Sequence, residues 1–183
     1  GNWRELAFFD DRWPELQSCG PWPVIGTGED LAGNLDADDE VFVAIGNGES
    51  RIKWLQRFRE DGIRIATIVH PRAVVSSRAE IGAGTLVVAG AVVNIDIRLG
   101  IGVIVNTGAT IDHDCLIGDG VHICPGAHLA GDVTVGKGSW IGIGSAVRQG
   151  IRIGSGVTVG AGSAVIADIA DGLTVAGVPA KPL

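Results

Sequence analysis

Residues 109–132 read "ATIDHDCLIGDGVHICPGAHLAGD" and hold three of the chain's four histidines, His113, His122 and His128, with four acids. Their neighbours are Gly, Ala and Val, with hardly a polar side chain. An unperturbed imidazole titrates near about 6.5, so it can take or give a proton close to neutrality. Asp112 and Asp114 flank His113, and either carboxylate could hold that ring and raise its basicity. The chemistry on offer is therefore proton transfer, provided the fold presents these rings to a substrate.

The elements that must present them are legible as a period of six. Every sixth residue from Val75 to Val165 gives sixteen positions, each of them Ile, Val or Leu. The residue two before each is Ala, Ser, Thr, Cys, Val or Ile, and glycine often follows the aliphatic. This is the hexapeptide repeat of a parallel β-helix. Each hexad makes one short flat side, with its aliphatic inward and its polar or glycine pair turning the corner. Three hexads, 18 residues, close one triangular coil. Coils stack at about 4.8 Å, so the prism should stand roughly 25 Å tall. The left-handed form is expected for this pattern. No insertion breaks the register, so any functional group must be a side chain on the prism or part of a neighbouring chain.

In that frame His113 takes the fifth place of its hexad, at a corner. His122 and His128 take the second place and should point outward, and none of the three belongs to the core. Cys115 starts a hexad and should point inward, as should Ser139 and Ser145. Cys124 has a place that could be exposed, but no orienting base lies within sequence reach. Covalent catalysis is therefore disfavoured, which leaves direct transfer with His113 as base. Two other readings stay open. A zinc hydratase would try His113, His122 and His128 as ligands, although corner and outward places differ. A non-catalytic structural or binding prism would favour outward Thr ladders, and none is seen.

Composition bounds the rest. The 183 residues are 46% hydrophobic and 19% charged, as expected of a folded protein with a real core. The net charge of −7 and the lack of a basic stripe argue against nucleic acid. No apolar run long enough to span a bilayer is present. The three cysteines, Cys19, Cys115 and Cys124, show no metal-type spacing and point to a reducing cytoplasm. There is no Met, and the abrupt opening "GNWRELAFFDD" suggests residues missing at the N-terminus.

Eight of the nine aromatics lie before residue 73, and 21 of the 29 glycines lie after it. We therefore expect an α/β domain over residues 1–72, a β-helix over 73–168 and a tail over 169–183. In the first part "LAFF", "VFVAI" and "IRIATIV" read as strands. "SRIKWLQRFRED" reads as a helix with Ile52, Leu55 and Phe58 on one face, ended by Gly62. A strand, glycine turn, helix, strand order is half of a Rossmann-like nucleotide-binding unit, apparently incomplete because its glycine-rich first turn is absent.

"NTGATIDHDC" followed by "VHICPGAHLAG", with the closing "VAGVPAKPL", resembles the left-handed β-helix acetyltransferases that act on amino sugars. The similarity is greatest to the bacillosamine-pathway UDP-4-amino-sugar N-acetyltransferases and the related sialic-acid O-acetyltransferases. "LAFFDD" and "FVAIGN" match that group's N-terminal nucleotide-sugar domain, so the resemblance covers nearly the whole chain. It implies acetyl-CoA as co-substrate, no metal, and N-acetylation of a nucleotide-activated amino sugar, with O-acetylation of a sugar hydroxyl as the alternative. His113 would be the general base and Asp114 the acid that raises its basicity. His122, Ile143 and Ala161 would meet acetyl-CoA, the last through its backbone. Asp10, Asp11, Asn47 and Asn106 would meet the nucleotide-sugar. The family's opening glycine-rich strand, with a substrate-side histidine of its own, has no counterpart here. One coil beyond His113 is Gly131, whose bare backbone would let a thioester oxygen reach an N–H. His113 and His122 fall on opposite sides of a coil, with Trp140 stacked one coil above His122. If both histidines serve one substrate, a homotrimer must share its active sites between subunits.

Overall fold

The structure, a computed structural model, describes residues 3–183. Chain contacts divide it into two compact units, one ending at Glu40 and one spanning Val41–Leu183. In the first, strands β1 (Phe8–Phe9), β2 (Ser18–Cys19) and β3 (Trp22–Gly26) form a sheet in the order β1-β3-β2. Gly20, at φ +59°, turns β2 back on β3. A 3₁₀ segment, Gly28–Asn34, follows, and the Thr27 backbone N–H donates to Asp30 Oδ2 at 2.9 Å. Val24 and Leu31 are its buried apolar residues. The expected strand over "LAFF" shrinks to Phe8–Phe9. Strand β3 was not anticipated, because Pro23 interrupts its apolar run.

The second unit opens differently from the sequence reading. "VFVAI" forms no ladder, and only Val41 bridges to Ile65. "IRIATIV" splits, and its end, β4 (Ile68–Val69), joins the β-helix. The reason lies in the backbone donors. Ile68 N–H is already bonded to the Thr85 carbonyl of the next coil at 2.9 Å, so these residues stack onto the prism instead of pairing within an α/β sheet. Helix α1 runs Gly48–Glu60, with Asn47 Oδ1 accepting from Ser50 N–H at 2.9 Å. Gly62, at φ +71°, ends it as expected. The buried stripe is Arg51, Leu55 and Phe58, while Ile52 is half-buried.

Sixteen two-residue strands follow, from β5 (Val74–Val75) to β20 (Ala164–Val165). Their parallel register is eighteen residues throughout, as in Ile104↔His122 and Thr110↔His128. The strands alternate among three walls. The first holds Ile68–Val69 and His122–Ile123, the second Val74–Val75 and His128–Leu129, and the third Glu80–Ile81 and Leu116–Ile117. From Val87 to Val165 every aliphatic of the period is buried; Val75 and Ile81, near the start of the stack, are partly so. At the far end the repeat shortens and Val159 pairs with Val175. Strand β21 (Thr174–Ala176) then pairs antiparallel with β22 (Lys181–Pro182), and this hairpin covers an otherwise open edge. No helix of the described residues is long and apolar enough to cross a membrane.

From residue 84 to residue 162 every corner places one residue in the left-handed region, whereas Arg72 and Arg78, at the first two corners, do not enter it. Glycine fills it along two edges, including Gly84, Gly102, Gly120 and Gly138 on one and Gly90, Gly108, Gly126 and Gly144 on the other. Helix α1 lies on the first of these edges. A Cβ at Gly102 would sit 2.6 Å from Leu55 Cδ1, whereas one at Gly108 would meet nothing within 4 Å. Both Gly102→Ala and Gly108→Ala should lose about 1–2 kcal/mol for the left-handed backbone. Gly102→Ala should lose at least about 1 kcal/mol more by displacing the helix. Urea denaturation checks this, and equal losses would mean that the helix does not depend on the bare edge.

Candidate active site

The third edge, between the second and third walls, departs from the glycine rule. Its left-handed places are Asp96, Asp114 and Asp132, at φ 59°, 61° and 58°, before Gly150 restores glycine. Aspartate tolerates this region because its short side chain can bond locally. At Asp114 that bond goes to the preceding residue, with His113 Nδ1–H donating to Asp114 Oδ2 at 2.8 Å. Asp112 has a different task. Its Oδ1 accepts from His113 N–H at 2.9 Å and from Asn94 Nδ2 at 3.0 Å, which shapes the turn. Of the two flanking carboxylates, Asp114 therefore holds the ring. With Nδ1 protonated, Nε2 is the lone-pair side of the imidazole.

His113 is well exposed, and its pKa is raised above the usual histidine value. The hydrogen bond that Nδ1–H donates to Asp114 is the main cause, opposed by partial desolvation and aided by the charges of Asp112, Asp114 and Asp132. Gly131 lies one coil on, against the ring. A Cβ there would fall 2.5 Å from His113 Cε1 and 2.6 Å from Nε2. The missing side chain at 131 is thus the space in which the imidazole itself rests.

No activated nucleophile accompanies the pair. Cys115 is buried beneath the corner, its thiol bonded to the Ala130 carbonyl at 3.3 Å and pushed up to about 11, chiefly by burial. Cys124, for which exposure was considered, is also buried, and burial raises its thiol to about 11. Ser139 Oγ donates to the Gly154 carbonyl at 2.7 Å and Ser145 Oγ to that of Gly160 at 2.9 Å, so both hydroxyls serve the backbone.

The three histidines diverge. His128 stands on the second wall, its Nδ1 2.9 Å from Thr110 Oγ1. His122 stands on the first wall, across the prism from the His113 corner. It points outward as expected, yet it is only 8% exposed. The Trp140 ring covers it at 4.3 Å between centroids, the Gly46 backbone meets it, and the Arg51 charge acts on it. Burial, then the Arg51 charge, lowers its pKa to about 4, so it is neutral at pH 7. Asn106 Oδ1 accepts its neighbour's N–H, from Thr107, at 2.8 Å, which turns Nδ2 toward His122 Nε2 at 3.0 Å. Among the described residues no three His, Cys, Asp or Glu side chains are placed to share a metal ion, which removes the geometric basis for the zinc reading.

The remaining candidates are spread out. Ile143 (60% exposed) and Ala161 lie one coil apart on the edge between the first and second walls, where Gly162 N–H donates to the Ile143 carbonyl at 2.8 Å. Asp10 pairs with Arg12 at 2.9 Å, and that hydrogen bond holds its carboxyl down at about 2. Asp11 Oδ1 accepts from Gly28 N–H at 3.3 Å. Asn47 caps α1. Sequence reasoning missed Arg51, which is 0% exposed. The available signal was its spacing, four before Leu55 and seven before Phe58, on the same helical stripe.

Residues 1–58 match the PglD N-terminal domain family. No curated protein matches the chain by sequence. The acetyltransferase domain of PglB from Neisseria gonorrhoeae is 46% identical, over 99% of this chain and 88% of that one, with a TM-score of 0.95. The perosamine N-acetyltransferase of Caulobacter crescentus, in complex with CoA and GDP-perosamine, is 35% identical over 97% and 84%, with a TM-score of 0.88. The chain belongs to the hexapeptide-repeat sugar N-acetyltransferases. WeeI from Acinetobacter baumannii is similar too, at 28% identity over 97% and 85% and a TM-score of 0.90. In this acetyltransferase chain the left-handed β-helix and the PglD-type N-terminal segment expected from the sequence are both present.

The geometry at residue 131 makes a direct prediction. Gly131→Ala should push the His113 ring off Asp114, because the new methyl would occupy the ring's place. The pKa of His113 should then fall back toward about 6.5, while the β-helix stays folded. A histidine NMR titration reads this, and an unchanged pKa would show that the ring has other room.

Proposed function

We propose that this chain transfers the acetyl group of acetyl-CoA to the amine of a nucleotide-activated amino sugar, with His113 as general base. The observation that carries the reading is the His113–Asp114 pair, 2.8 Å apart on an exposed corner, with its ring laid against bare backbone. The relatives support the substrates, since PglB's domain has been solved with acetyl coenzyme A and the Caulobacter enzyme with CoA and GDP-perosamine.

The amine nitrogen attacks the thioester carbonyl carbon, and His113 Nε2 accepts the proton that the nitrogen must lose. Asp114 keeps the proton on Nδ1 and stabilises the imidazolium that forms. The tetrahedral oxyanion is met by a backbone N–H at Gly131. Collapse breaks the carbon–sulfur bond, and the proton held by His113 passes to the departing CoA sulfur. Acetyl-CoA lies against His122, Ile143 and Ala161, and Asp10, Asp11, Asn47 and Asn106 serve the nucleotide-sugar. His113 and the acetyl-CoA residues occupy different edges of one prism, so we place the site between subunits of a homotrimer. Trp140 and Ile143, 40% and 60% exposed, supply apolar surface for such a cleft. The three unpaired cysteines suit a reducing cytoplasm.

His113→Ala should lower kcat by roughly 10²–10⁴-fold with the fold intact, read as free-thiol release from acetyl-CoA. A panel of UDP-, GDP- and CMP-linked amino and hydroxy sugars tests the acceptor, and turnover restricted to hydroxy sugars would make this an O-acetyltransferase. Asp114→Asn should move the acidic limb of the pH–kcat profile to lower pH. The carboxylate raises the pKa of His113, and the base works only when deprotonated. A limb that stays in place would detach Asp114 from that role. For the trimer, an inactive His113→Ala protein exchanged with an inactive His122 variant should regain part of the activity. No regain after proven exchange would put the whole site within one chain.

A further inference from the structure

Arg51 lies on the helical stripe that faces the prism and is fully buried. All four of its hydrogen bonds go to backbone carbonyls. Nε donates to Gly102 at 2.6 Å and Nη2 to Gly120 at 2.9 Å, while Nη1 donates to Ile45 at 2.6 Å and Gly46 at 2.9 Å. Burying a guanidinium without a carboxylate is expensive, and an apolar residue would pack the helix at lower cost. What an arginine adds is geometry. Its planar fork reaches several fixed acceptors at once, which neither an aliphatic chain nor a lysine can do.

Those acceptors fall in two groups. Gly102 and Gly120 are successive corner residues on the bare glycine edge, eighteen residues apart, and so report two coils. Ile45 and Gly46 belong to the turn that leads into Asn47, the cap of α1. The same turn meets His122. The charged group facing that imidazole is Arg51, and its other neighbours are Asn106, Trp140 and the Gly46 backbone. Because Asn106 donates to Nε2, the neutral ring carries its proton on Nδ1, and the ring also meets the Gly46 backbone. Arg51 Nη1 bonds the carbonyl of that same Gly46, so the surroundings of the ring depend on where Arg51 holds this turn.

We propose that Arg51 is a positioning residue for the reaction: it clamps the Ile45–Asn47 turn to the glycine edge, so that Asn47 and His122 are held as one body. This rests on the reading that Asn47 serves the nucleotide-sugar and His122 acetyl-CoA. Loss of the clamp should then weaken both substrates together and leave the chemistry at the His113 corner unaffected.

The test compares Arg51→Met and Arg51→Lys with Leu55→Val, which loosens the same helix without touching the clamp. Arg51→Met should raise KM for acetyl-CoA and for the sugar nucleotide by roughly tenfold or more, as expected for losing charge-assisted bonds. Its kcat should stay within about threefold. Arg51→Lys should fall between Met and wild type, and Leu55→Val should leave both KM values unchanged. Histidine NMR gives a readout that needs no turnover. The His122 pKa should rise from about 4 toward the ordinary value even in Arg51→Lys, which keeps the charge but loses the fork, and stay low in Leu55→Val. If wild-type protein transfers acetyl to no acceptor, the functional reading fails while the titration still decides the clamp. Should Arg51→Met not fold, Arg51→Lys carries both measurements. KM values that move singly, or Arg51 and Leu55 variants that behave alike, would reduce Arg51 to a packing residue.

Discussion

Everything in this molecule follows from closing each coil in eighteen residues. A parallel ladder of two-residue strands has little strength in any one rung, so stability comes from repeating the same inward aliphatic on every wall. No insertion breaks the register between Val75 and Val165, and one extra residue within a wall would turn its core side chain outward. The bonds between coils have the same monotony, with wall N–H groups reaching carbonyls on the next coil, as Thr110 to Ala127 at 3.0 Å and Asp112 to Leu129 at 2.9 Å, and corner N–H groups reaching back, as Gly102 to Ala83 at 2.9 Å. Polar residues inside obey it too. Ser139 Oγ donates to Gly154 and accepts from Val157 N–H at 3.0 Å, which joins two coils.

A strict register also makes function positional. From residue 84 to residue 162 the backbone enters the left-handed region once at each corner, and the residue that does so decides what the edge presents. Glycine leaves the edge bare, and a helix can lie on it. Aspartate meets the same backbone demand and brings a carboxylate, which at Asp114 reaches the neighbouring imidazole. The third edge thus differs from the other two in side chains while keeping their geometry.

The two histidines of the proposed chemistry show opposite electrostatics for the same reason. His113 is exposed beside carboxylates and becomes more basic. His122 is buried and lies near a guanidinium, so it becomes less basic. One ring suits proton acceptance, and the other suits contact with a substrate without taking a proton.

The sequence alone determined the prism, its register, the inward places of Cys115, Ser139 and Ser145, and the corner place of His113, because a period of six maps directly onto walls and corners. The pairing of His122 with Trp140 followed from adding eighteen. Other features were decided only by tertiary structure. Which of Asp112 and Asp114 holds the ring depended on a positive φ that aspartate tolerates but does not announce. The "VFVAI" and "IRIATIV" runs had strand composition, yet the prism captured the second and left the first with a single bridge. The burial of His122, the neutral ring it produces and the role of Arg51 came from a helix and turn packing on a distant edge. Local periodicity reports which way a side chain points from its own backbone, but not what the rest of the chain later lays over it.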